Sequence, residues 1–114
     1  MIFTLHDLRS WAAALAEGTL PSKTTQAERL TMTPTGLQGV GYGLGAFDNH
    51  GWVGHNGSLP GYQTVMVYLA KAKATLVVHT TSDIGSQGKA LSTKFAQAVT
   101  SIVTPKNVYD ISPS

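Results

Sequence analysis

Two β-branched runs in the middle of the chain limit most tightly what it can fold into. Gln63-Thr64-Val65-Met66-Val67-Tyr68-Leu69 and Ala74-Thr75-Leu76-Val77-Val78-His79-Thr80 are rich in strand-favouring residues, and Lys71-Ala72-Lys73 separates them. This pattern predicts a buried β-hairpin on which the rest of the chain must pack. Just before it stands Gly54-His55-Asn56-Gly57-Ser58-Leu59-Pro60-Gly61-Tyr62, which combines backbone-shaping residues with a histidine. Gly57 and Gly61 permit conformations or close approaches that a β-carbon would block, and His55 carries the one side chain here that ordinarily titrates near neutral pH.

The flanking sequence supplies the remaining elements. Thr4 with Asp7 fits a capping box, and Leu5, Leu8, Ala12 and Leu15 share a helical face ended by Gly18, so a helix is expected from about Leu5 to Glu17. Trp11 beside that stripe reads as a core or interface aromatic. A Pro-flanked connector follows, in which Thr24 to Met32 can form a short helix capped by Ser22 or Thr24. Glycine recurs too often from Gly36 to Gly45 for a helix, and Tyr42, Leu44 and Phe47 suggest one face of a strand from about Gly41 to Phe47. Asp48-Asn49-His50-Gly51 has the residue types of a tight turn, returning the chain through Trp52 to His55, with a second turn at Gly57 to Gly61. A last helix is expected from about Ser86 to Val103, capped by Asp83, with Leu91, Phe95, Ala98, Val99 and Ile102 on its packing face. Pro105 then breaks it and 105–114 reads as a tail. The expected fold is α+β: an antiparallel sheet of three to four strands with an N-terminal helix and a long C-terminal helix packed on it.

Composition narrows the function. The 114 residues suffice for one domain or a piece of one, and the chain is 42% hydrophobic and only 12% charged, which argues against disorder. A formal charge of +2 without a basic run leaves no electrostatic footprint for nucleic acid. Cysteine is absent, which excludes disulfides and thiol chemistry. No apolar run approaches the roughly 18 residues of a membrane span. His50 and His55 lack a third ligand nearby in sequence, so no metal site is expected.

Set side by side, Thr4-Leu5-His6-Asp7-Leu8-Arg9-Ser10-Trp11, then Tyr42-Gly43-Leu44-Gly45, then Gly54-His55-Asn56-Gly57 with Pro60-Gly61-Tyr62, resemble the C-terminal part of the serine β-lactamase-like hydrolases. The branch is that of class C β-lactamases, D-alanyl-D-alanine carboxypeptidases and esterases. The Thr80-Thr81-Ser82-Asp83 strand end is similar as well, although the family more often has Leu-Thr-Asn there. The resemblance runs over about residues 2–104, the expected extent of the domain segment. It implies part of a β-lactamase/transpeptidase-like fold and a cofactor-free serine acyl-enzyme mechanism on a β-lactam, a D-Ala-D-Ala peptide or an ester. A Ser-x-x-Lys nucleophile and a Tyr-x-Asn proton-transfer motif would stand with a third motif, Lys-Thr-Gly or His-x-Gly, on a strand.

His55-Asn56-Gly57 matches that third motif. By resemblance, His55 would polarise the cleft and help hold a substrate carboxylate or the catalytic tyrosine, and Asn56 would contact the substrate's polar tail. Gly57 would keep the strand bare, and the Ser58 backbone N–H would be one of two oxyanion donors. The family's Ser-x-x-Lys and Tyr-x-Asn lie upstream of the Thr4-Leu5-His6-Asp7-Leu8 helix, and the literal Ser86-Gln87-Gly88-Lys89 reads as a coincidence of common residues. The resemblance therefore implies a fragment of an exported hydrolase, inactive alone, whose partners are the missing upstream segment and an acyl substrate. An exposed sheet edge would also permit a homo-oligomer. The alternative is a non-catalytic peptide-binding or self-assembly module using that edge.

Overall fold

The computed structural model describes residues 1–111, and within them the expected α+β order is present. Helix α1 (Leu5–Glu17) opens with the Thr4 and Asp7 capping box and ends at Gly18 in the left-handed conformation. Helix α2 (Lys23–Arg29) is capped by Ser22, and Gln26 donates to the carbonyl of Leu15 at 2.9 Å, which ties it to the end of α1. Strands β1 (Thr33–Pro34), β2 (Val40–Tyr42), β3 (Phe47–Asn49), β4 (Trp52–Leu59), β5 (Tyr62–Leu69) and β6 (Ala74–Thr80) form one six-stranded antiparallel sheet in sequence order. A small hairpin, β7 (Gly85–Ser86) with β8 (Lys89–Ala90), precedes α3 (Leu91–Val103).

The predicted hairpin is the centre of the molecule. Val65 and Val67 of β5 are fully buried among Phe47, Trp52, Ala96 and Tyr109, on the face that α3 covers. Met66 and Tyr68 pack with Ala12, Leu15 and Ala46 on the α1 face, and the Tyr68 hydroxyl donates to the Glu17 carboxylate at 2.5 Å. Each buried valine contributes about 1.5–3 kcal/mol relative to exposure, so β5 anchors both layers. Gly54 lets β4 approach it, since a β-carbon there would lie 2.1 Å from the Met66 carbonyl oxygen.

Several expectations are corrected. The sheet has six strands rather than three or four, because the stretch from Thr33 to Asn49 folds into the short β1, β2 and β3. The strand expected over Gly41 to Phe47 is broken by a turn in which Gly43 N–H donates to Ala46 and Leu44 N–H donates to Arg29. Tyr42 and Phe47 are consequently cross-strand partners and not successive members of one face.

The last helix begins at Leu91 and not near Ser86, and Asp83 does not cap it: the β7–β8 hairpin intervenes, with Gln87 and Gly88 both at positive φ. The buried amide oxygen of Gln63 on β5 instead accepts the Ser92 N–H at 3.1 Å, a cap supplied across the fold. The packing face of α3 also differs from expectation. Ser92, Thr93, Ala96 and Thr100 face inward, small enough for close approach, and Thr100 returns its hydroxyl to the Ala96 carbonyl. Phe95, Val99 and Ile102 remain exposed.

The segment after Pro105, expected as a tail, is docked as far as Ile111, and 112–114 lie outside the described residues. Tyr109 is fully buried and donates its backbone N–H to Thr100, while Asn107 accepts the Trp52 indole N–H at 2.7 Å and donates to the His50 carbonyl. Burial pushes the Tyr109 phenol well up from its ordinary range. No helix among the described residues is long and apolar enough to cross a membrane.

Candidate active-site wall on strand β4

Strand β4 is longer than its neighbour, and that difference builds the site. It pairs with β5 along its whole length, from Trp52 opposite Leu69 to Leu59 opposite Tyr62, but with β3 only from Trp52 to Gly54. From His55 to Leu59 its outer side has no neighbouring strand among the described residues. The turn predicted over Gly57 to Gly61 is confined to Pro60 and Gly61, with φ +82° at Gly61, and so Gly57 and Ser58 belong to the strand.

Antiparallel geometry fixes which backbone groups point outward. A two-residue loop closes on a hydrogen-bonded pair, here Leu59 with Tyr62, and the pairing alternates from there. Gly57 and His55 therefore exchange bonds with Thr64 and Met66, while the N–H and C=O of Ser58 and Asn56 point away from β5. The same alternation makes Phe47 and Gly54 a bonded pair with β3, consistent with the register there. An added β-carbon at Gly57 would meet nothing within 4 Å, so the wall is open at that position.

His55 is half-buried where the open wall begins. Its Nδ1 lies 2.5 Å from the Asn56 carbonyl oxygen and its Nε2 lies 2.7 Å from the Tyr42 hydroxyl. Tyr42 meets the ring edge-on at 5.6 Å and 85°, and Phe47 lies 5.6 Å away at a 36° tilt. Asn56, Gly57 and Ser58 follow directly on the exposed part of the strand. The fold thus groups His55, Asn56, Gly57 and the Ser58 N–H on one wall.

It does not bring in the other candidates. His50 sits in the β3–β4 turn with Nδ1 against Asn49 Oδ1 at 2.8 Å, a different set of partners from those of His55. Ser86 and Lys89 occupy the β7–β8 hairpin: Lys89 Nζ donates to Gln97 and pairs with Asp110 at 3.0 Å, and the Ser86 hydroxyl accepts from Lys94. Among the described residues no group of three His, Cys, Asp or Glu side chains could hold a metal ion. Tyr42 is the residue that sequence reasoning missed as a partner of His55. Its signal was the Tyr42-Gly43-Leu44-Gly45 motif, but the juxtaposition depends on the unforeseen turn between β2 and β3.

Comparison with known proteins places this α+β sheet in a family. The family described as Beta-lactamase matches residues 1–100. The chain belongs to the beta-lactamase family. Among solved structures it is similar to a D-stereospecific amidohydrolase from Streptomyces sp., with 26% identity and a TM-score of 0.61. That match covers 68% of this chain and 25% of the amidohydrolase chain, so the present chain corresponds to about a quarter of that protein. A search of curated proteins finds no match.

Proposed function

We propose that this chain is the portion of a serine acyl hydrolase that supplies the cleft wall opposite the nucleophile. The reaction class is transfer of an acyl group from an amide, β-lactam or ester to water. Its contribution is the Ser58 N–H as an oxyanion donor, with Asn56 beside it for the substrate's polar tail and His55 shaping the wall. The observation that carries this reading is the extension of β4 past the end of β3, which leaves the Ser58 N–H directed at open space next to His55. A backbone donor aimed at developing negative charge in a dry cleft is worth about 3 kcal/mol of barrier.

The nucleophile and proton-transfer group come, on this reading, from further polypeptide of the same fold that extends the sheet along β6. Supporting this are the terminal position of β6 in the sheet and a groove of about 410 Å³ between Leu5, Leu76, Val78, Phe95 and Val99. The quarter coverage of the amidohydrolase points the same way. The likeness to a D-stereospecific amidohydrolase makes D-amino-acid amides and D-alanyl-D-alanine peptides the first substrates to test.

The test is the intact mass of the purified chain after incubation with a penicillin and, separately, with a fluorophosphonate. The expected result is no adduct. A stoichiometric adduct mapped to Ser86 would place the nucleophile inside this chain and overturn the proposal.

A further inference from the structure

We propose that Tyr42 is the positioning residue of the β4 wall: it holds His55 in one ring orientation and one tautomer, a role that takes its functional meaning from the hydrolase reading above. The assignment follows from donor and acceptor chemistry. The Asn56 carbonyl can only accept, so the Nδ1 that lies 2.5 Å from it must carry a hydrogen. In the neutral ring the other nitrogen is then a bare acceptor, and the Tyr42 hydroxyl at 2.7 Å must donate to it. Both nitrogens of His55 are thereby committed to the protein.

Strand register and ring contacts make this a fixed arrangement. Tyr42 closes β2 opposite Phe47, and Phe47 is in turn opposite Gly54, the residue before His55. The imidazole contacts two rings anchored in the same row of the sheet, one edge-on and one tilted. Phe47 is buried, whereas Tyr42 is 42% exposed. The phenol oxygen, with its hydrogen directed at Nε2, keeps its lone pairs outside that bond. The outward polar group at this end of the wall is thus the Tyr42 oxygen, an acceptor suited to an amide N–H or an ammonium group, and not the imidazole itself.

The test is nitrogen-15 NMR of His55 in the whole chain, recorded on the neutral-ring plateau of its own titration, with Tyr42→Phe as the variant. The wild type is expected to show the Nδ1–H tautomer alone, with Nε2 at an unprotonated shift. Loss of one ordinary hydrogen bond in Tyr42→Phe should move the tautomer ratio toward an even mixture by roughly fivefold, while the amide spectrum stays that of the folded chain. A merely structural tyrosine would lower thermal stability and leave the ratio alone. An Nε2–H tautomer in the wild type overturns the proposal without recourse to any variant, and so does an unchanged ratio in a folded Tyr42→Phe. Because the readout needs no turnover, an adduct at Ser86 would sink the reading of β4 as a wall facing a nucleophile from outside this chain and leave the Tyr42 result standing, and the reverse holds equally.

Discussion

The sheet has two kinds of uncovered strand edge, and they differ in chemistry. Along the outer side of β4, beyond Gly54, the residues are His55, Asn56, Gly57 and Ser58: polar or bare, with backbone groups directed outward. Along β6 the neighbours include Leu5 from α1 and Phe95 and Val99 from α3, all exposed and apolar, with His6 and Arg9 of α1 beside Thr75 and Val77. Both edges flank the same buried β5, so packing alone does not explain the difference. A polar open edge suits a ligand that brings its own hydrogen bonds, whereas an apolar one suits a further layer of polypeptide. The lesson is that one half-exposed sheet can separate a recognition wall from an assembly seam by strand length and by the faces its helices present.

The largest expected effect comes from breaking what the two edges share. Gly54→Ala would push a β-carbon against the Met66 carbonyl, only 2.1 Å away, and separate β4 from β5. We expect a destabilisation of about 3 kcal/mol in urea unfolding, with both edges disturbed together. A loss below about 0.5 kcal/mol would show that β4 relaxes freely and that the wall is less fixed than described.

Next in size is a change confined to the seam. Without its proposed partner, β6 should pair with a second copy of the chain, giving concentration-dependent association in sedimentation. Phe95→Lys should weaken that association at least about tenfold while changing stability by no more than about 0.5 kcal/mol, since the ring is half-exposed. A chain that stays monomeric at high concentration would remove the reason for treating β6 as a seam.

How much of this was legible beforehand depended on whether a local pattern or a distant neighbour decided the outcome. The β5–β6 hairpin and the α1 capping box follow from short-range rules, and they are present as read. The face of α3 was misread because periodicity finds an apolar stripe without saying what covers it, and Ala96 and Thr100 win the contact by being small. The docking of 105–111 was hidden because Tyr109 and Asn107 have no pattern of their own; their partners Thr100, Trp52 and His50 are distant or carry no pairing signal. Tyr42 could be matched to a motif but not to His55, since that contact requires the β2–β3 register.

The smallest effect lies in the cap of α1. The Asp7 carboxylate accepts the Thr4 backbone N–H at 2.9 Å and also interacts with the Thr4 side chain, which hold its pKa below the ordinary 3.8. A carboxyl more acidic in the folded chain than in the unfolded one adds stability that is complete above its ordinary value and is lost as pH falls through the lower folded value. Stability should therefore decline on acidification below pH 3.8 partly through this cap, and Asp7→Asn should flatten that part of the slope in pH-dependent melting. An unchanged slope would mean the cap is not formed in solution.

The most direct test of the two-edge account is amide NMR of the folded chain titrated with an N-acylated D-alanyl-D-alanine peptide. The account predicts shifts concentrated at Asn56, Gly57 and Ser58, largest at the Ser58 N–H, little change along Leu76 to Thr80, and loss of the response in a folded His55→Ala. Shifts confined to β6 and Phe95, or none on β4 at millimolar peptide, would contradict it.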